Sequence, residues 1–118
     1  MRILLIEDEE EVADYLGMFL REAGYFVFHA PDARTARQKA EEPFDLILLD
    51  LVLPDATGPE LLPLIRAAAP KTPVVIVSGL AFDDERLLYC LKNGAAGYVP
   101  KSSRAEDLLV AVRRALRE

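Results

Sequence analysis

A single cysteine, Cys90, leaves no partner for a disulfide within the chain and suits a reducing compartment such as the cytoplasm. Cys90 lies in an apolar helical stretch, which favours a buried, inert thiol over a reactive one. No apolar run approaches the ~20 residues of a membrane span. The N-terminus lacks the basic-then-apolar pattern of a signal segment. A basic surplus is missing too: 14 Lys and Arg stand against 20 Asp and Glu, for a net charge of −6. No face concentrates the basic residues, so direct nucleic-acid binding by this chain is not expected. The one histidine, His29, has no Cys or His companion and receives no role. Neither a Gly-x-Gly-x-x-Gly turn after the first strand nor a Gly-Lys-Ser/Thr loop occurs, which argues against a nucleotide-binding module.

What the sequence does have is a globular balance, 52% apolar and 29% charged over 118 residues, enough for one domain with a two- or three-layer core. Its organising stretch runs from Phe44 to Gly58. Leu46-Ile47-Leu48-Leu49 is apolar on both faces and reads as a strand buried between two layers. It ends on a carboxylate, Asp50. In open α/β sheets, ligands and chemistry collect at the carboxyl ends of the strands.

Taken in order, Arg2 to Ile6 is a short buried strand, followed by five acids, Glu7 to Glu11. Helix-start charge accounts for Glu9, Glu10 and Glu11. It accounts less well for Glu7 and Asp8, which stand at a strand exit as Asp50 does. Val12, Leu16, Phe19, Leu20 and Ala23 make the apolar stripe of a first helix, and Gly24 its left-handed cap. Tyr25 to Ala30 reads as a second strand, and Pro31-Asp32 opens a polar helix to about Glu42. Thr57 and Glu60 match a capping box for a third helix, with Leu61, Leu62, Leu64 and Ile65 inward. Pro63 within that helix removes a hydrogen bond and should kink it or shift its start. Val74 to Val77 is a fourth strand ending at Ser78. A helix over Asp83 to Asn93 closes at Gly94. A fifth strand, Gly97 to Val99, leads to Lys101, and Ser103 caps a last helix that turns Leu108, Leu109, Val112 and Leu116 inward.

This alternation predicts a three-layer, doubly wound α/β fold: a five-stranded parallel sheet in the flavodoxin-like order 2-1-3-4-5. Four strands then deliver Glu7 and Asp8, Asp50, Ser78, and Lys101 to one edge. Clustered carboxylates repel, by roughly 4 kcal/mol for two unit charges at ~4 Å and an effective dielectric near 20. Such a pocket calls for a cation, and hard oxygen ligands suit Mg²⁺, with Asp8 and Asp50 as direct ligands and Glu7 acting through water. With the cation present a carboxylate can attack phosphorus, and Asp50, alone on the central strand, is the best nucleophile. Ser78 and Lys101 would neutralise the phosphoryl oxygens.

Leu-Leu-Ile-Glu-Asp-Glu, Leu-Leu-Asp-Leu-Val-Leu-Pro-Asp-Ala-Thr-Gly, Val-Ile-Val-Ser-Gly and Gly-Ala-Ala-Gly-Tyr-Val-Pro-Lys together resemble the motifs of receiver domains of two-component response regulators. The resemblance spans residues 1–118 as a single receiver domain. It implies that Asp50 accepts phosphate from a sensor histidine kinase or a small donor. It implies Mg²⁺ held by Asp8, Asp50 and the Val52 carbonyl, with Glu7 in the acid pair. Ser78 and Tyr98 match the family's switch pair, which repacks a face made by the fourth helix, fifth strand and fifth helix for homodimerisation or output docking. A DNA-binding output domain, if there is one, lies outside this chain. No turnover enzyme is implied, only self-phosphorylation and self-dephosphorylation on Asp50. Glu7 stands where aspartate is frequent, and Ser102 where many receivers have proline. Val52 and Leu80, apolar and two residues past Asp50 and Ser78, should flank the phosphoryl group without orienting water, so slow dephosphorylation is expected. A dehalogenase-type phosphatase would need an acid at Val52. The remaining alternative is a constitutive, unphosphorylated interaction module.

Overall fold

The computed structural model describes residues 1–117; the final residue of the 1–118 span, Glu118, lies outside the described residues. Ten elements alternate: β1 Arg2–Ile6, α1 Glu10–Glu22, β2 Phe26–Ala30, α2 Ala33–Lys39, β3 Leu46–Leu49, α3 Gly58–Ala68, β4 Val74–Ser78, α4 Glu85–Lys92, β5 Gly97–Pro100 and α5 Ala105–Leu116. The five strands pair in parallel, in the order β2-β1-β3-β4-β5, as the alternation of strands and helices predicts.

Side-chain alternation along the strands divides the core in two. Leu4, Ile6, Ile47, Leu49, Val74 and Ile76 point to one face, where Ala33, Ala36, Leu61, Leu62, Ile65, Leu87 and Cys90 of α2, α3 and α4 cover them. Ile3, Leu5, Leu46, Leu48, Val75 and Val77 point to the other, under Ala13, Leu16 and Leu20 of α1 and Leu108 and Val112 of α5. β3 and β4 are buried along their whole length, which explains their continuous apolar runs. Each fully buried Leu, Ile or Val contributes on the order of 2 kcal/mol, so the central strands anchor the edge on which the site stands.

Several local expectations shift. In α1 the buried small residues are Ala13 and Gly17, whereas Ala23 is exposed at the helix end. Gly24 does take the positive φ, 101°, that lets the chain turn into β2. α2 stops at Lys39 rather than near Glu42, and α4 spans Glu85–Lys92, inside the Asp83–Asn93 expectation. The N-caps of both are aspartates, Asp32 and Asp84, whose side chains hold first-turn N–H groups. Leu64 is exposed: it lies ~100° around the helix from the centre of the arc formed by Leu61, Leu62 and Ile65. Pro63 is accommodated inside α3, whose start stays at Gly58 behind Thr57. The N-cap of α5 is Arg104, not Ser103; the Ser103 N–H instead closes a turn onto the Pro100 carbonyl.

Candidate functional site

The carboxyl edge of the sheet is assembled by the backbone. Glu7 N–H donates to Ala30 O, Asp50 N–H to Ile6 O, and Lys101 N–H to Ser78 O, at 3.0, 3.0 and 2.9 Å. The residues that follow β1, β3 and β5 are thereby locked in step with their neighbours. The next stretch after β3 is pinned as well. Val52 bridges to Thr57, Gly58 N–H donates to Leu51 O, and Asp55 accepts from the first-turn N–H groups of Ala33 and Arg34. A Cβ on Gly58 would run into the Leu51 side chain, so glycine is required for α3 to start this close to β3.

Glu7, Asp50 and Ser78 are the buried polar residues among those described, at 1%, 4% and 1% exposure. Lys101 reaches across the edge. Its Nζ lies 2.9 Å from Glu7 Oε1, 3.0 Å from Glu9 Oε1 and 3.1 Å from Asp50 Oδ2. The Glu9 contact revises the sequence reading, which took Glu9 as helix-start charge. Burial, reinforced by the hydrogen bond and charge of Asp50, pushes the Glu7 carboxyl up to about 7, against the opposing pull of Lys101. Burial acts to lower the Lys101 ammonium, but its bonds to Glu7, Glu9 and Asp50 together outweigh that and hold it well above the usual lysine range. Three carboxylates around one ammonium leave the cluster short of positive charge.

Asp8 is exposed beside them, and Glu7, Asp8 and Asp50 each offer an oxygen within 4.8 Å of the others'. All-oxygen donors at that spacing, with two of the carboxylates buried, fit a hard divalent cation. Asp50 Oδ1 also accepts from Val52 N–H at 3.3 Å, which turns the Val52 peptide at the cavity rim. Asp8, Glu9, Asp50, Val52, Ser78, Gly79, Leu80 and Lys101 line a shallow cavity of about 220 Å³. Of the sequence-predicted residues, Asp8, Asp50, Val52, Ser78 and Lys101 line it, whereas Glu7 meets it through Lys101 and Tyr98 through the Leu80 carbonyl.

Ser78 and Tyr98 are joined through one residue. Leu80 N–H donates to Ser78 Oγ at 3.1 Å, and the Tyr98 hydroxyl donates to Leu80 O at 3.1 Å. His29, given no role from sequence, places Nε2 2.6 Å from the Glu7 carbonyl. The β1–β2 ladder closes with the Glu7 N–H on Ala30 O, and the His29 ring adds a bond to the carbonyl of the same Glu7. For Glu9 the available signal was a third acid within reach of a strand-end lysine.

The response regulator receiver domain family matches residues 3–113. The chain is 35% identical over 118 residues to the probable transcriptional regulatory protein SilR of Salmonella typhimurium, covering 99% of this chain and 51% of that protein. It is 33% identical to the transcriptional regulatory protein CusR of Escherichia coli, at 99% and 52% coverage. The chain thus spans about half the length of these curated relatives. Among solved structures, a CheY-like receiver domain protein of Methanospirillum hungatei superposes with a TM-score of 0.92 at 33% identity, covering 98% of this chain and 93% of that one. A response regulator of Burkholderia pseudomallei, solved with a phosphorylated aspartic acid, calcium ion and citrate, superposes with a TM-score of 0.87 at 27% identity, covering 98% and 68%. Motif order, topology and these relatives agree: the chain belongs to the response regulator receiver domain family.

Proposed function

We propose that Asp50 is the phosphoacceptor of this receiver domain, taking a phosphoryl group from a sensor histidine kinase or a small acyl phosphate. The observation that carries the reading is the meeting of Asp50 and Lys101 at 3.1 Å, with Glu7 and Asp8 alongside, at one end of a buried strand. The phosphorylated aspartic acid and calcium ion of the Burkholderia relative support it. An Asp50 oxygen forms a bond to phosphorus as the P–N or P–O bond to the donor breaks, and imidazole or acetate leaves with that electron pair. Mg²⁺, held by Asp8, Asp50 and the Val52 carbonyl with Glu7 behind them, supplies charge neutralisation on the phosphoryl oxygens when bound. The Lys101 ammonium and the Ser78 hydroxyl donate to those oxygens.

A Ser78 hydroxyl drawn to the phosphoryl group loosens its bond from Leu80 N–H, and Leu80 O holds Tyr98. Motion at the cavity is thereby linked to β5 and to the face of α4 and α5, which exposes Leu88, Tyr89, Leu91 and Val110. That face is the proposed surface for homodimerisation or for docking an output domain such as a DNA-binding one. Val52 and Leu80 both line the cavity and offer no side-chain polar atom to an attacking water. The phosphoryl group on the isolated domain should therefore be long-lived, and Val52→Asn should shorten its lifetime. Equal decay in the two proteins would contradict this. Beryllofluoride, a phosphoryl mimic that needs no donor, tests the pocket itself. Saturable, Mg²⁺-dependent binding with amide shifts from Ser78 to Tyr98 is expected. Refusal by the folded, Mg²⁺-loaded domain would favour the constitutive interaction module.

A further inference from the structure

An ammonium has three N–H donors and no acceptor. Lys101 engages all three, on Glu7, Glu9 and Asp50. To grip a phosphoryl oxygen it must release one partner. The Glu7 and Asp50 side chains are 2% and 5% exposed, so while the Asp50 carboxylate is still free, as it is when the phosphoryl group arrives, losing the ammonium would strand either one as a buried charge. Glu9 is different. Its side chain is 60% exposed, it lines the cavity, and water can readily replace its ion pair. Nor is its carboxylate explained by the helix it starts: Glu9 is the N-cap of α1, yet its side chain makes no capping bond.

We propose that Glu9 is a positioning residue that holds Lys101 back from the phosphoryl site until Asp50 is modified. Its carboxylate competes with the phosphoryl oxygens for one Lys101 N–H and swings to solvent when they arrive. Its negative charge at the cavity also opposes an incoming anion. The inference rests on the reading of Asp50 as phosphoacceptor.

The test compares the wild-type chain with Glu9→Gln, Glu9→Ala and Glu10→Gln, the last removing an exposed charge next door that does not touch Lys101. Beryllofluoride affinity at saturating Mg²⁺ and Mg²⁺ affinity alone are measured for each, with thermal midpoints as a folding control. Both Glu9 variants should bind beryllofluoride about two- to fivefold more tightly. Their Mg²⁺ affinity should stay level or weaken, and Glu10→Gln should match wild type. An equal gain in Glu10→Gln would reduce the effect to bulk charge and overturn the proposal. Weakening of both ligands in the Glu9 variants would show a merely structural role and also overturn it. Failure of the wild type to bind beryllofluoride would instead strike the phosphoacceptor reading, and the proposal with it.

Discussion

The first turns of α3 and α1 face the same requirement and meet it in opposite ways. At α3, Thr57 Oγ1 accepts from Glu60 N–H while the Glu60 carboxylate takes the Thr57 N–H at 3.1 Å, so each end of the box satisfies the other. At α1, Glu9 occupies the cap position with an acceptor to offer, and sends it across to Lys101 instead. One helix start obeys the local rule. The other leaves its N–H groups without a side-chain cap to serve a group on a different strand. A broken local rule beside a strand end marks where the site draws on the scaffold.

The largest expected effect comes from removing the group that receives this diversion. Lys101→Ala leaves buried Glu7 and Asp50 with no ammonium, and should cost about 3 kcal/mol in urea unfolding at pH 8 with a chelator present. Mg²⁺ should restore a large part of that loss. Unchanged stability would show that the cluster does not depend on Lys101. Next, Thr57→Ala should cost about 1 kcal/mol by breaking the capping box, whereas Glu9→Ala, with no cap bond to lose, should stay within about 0.5 kcal/mol. Equal losses at the two helix starts would erase the contrast. The smallest effect at neutral pH belongs to Cys90, whose thiol is pushed by burial from its ordinary value of 9.0 up to about 11. The folded state keeps that proton longer than the unfolded chain does. Its stabilising contribution is therefore fully present below pH 9 and is lost as pH rises toward about 11. Alkaline unfolding should be less steep in Cys90→Ala, and iodoacetamide at pH 8 should modify the native thiol far more slowly than the unfolded one.

Much of this architecture was legible in the chain. Leu46–Leu49 and the Val-Val-Ile-Val start of Val74–Ser78 are continuous apolar runs because helices cover both faces, and the residue that follows each run stands out for being polar. Asp50, Ser78 and Lys101 could be found in that way, and Thr57 with Glu60 by spacing alone. Less was legible where the answer depends on the path of a loop. Ser103 misses the cap of α5 by one residue because a turn onto Pro100 precedes the helix. Leu64 reads as inward by residue type, although its position on the arc is a flank. Glu9 and His29 escaped for a related reason: their partners, Lys101 and the Glu7 carbonyl, lie 92 and 22 residues away in sequence. Periodicity describes a helix or strand, and it says nothing about which side chain crosses to another.

Whether Asp50 accepts the phosphoryl group is read by intact mass after incubation with Mg²⁺ and acetyl phosphate. Asp50→Asn and a metal-chelated sample run beside the wild-type chain. The wild type should gain one phosphoryl group and neither control should gain any. A phosphoryl group that persists in Asp50→Asn would contradict it.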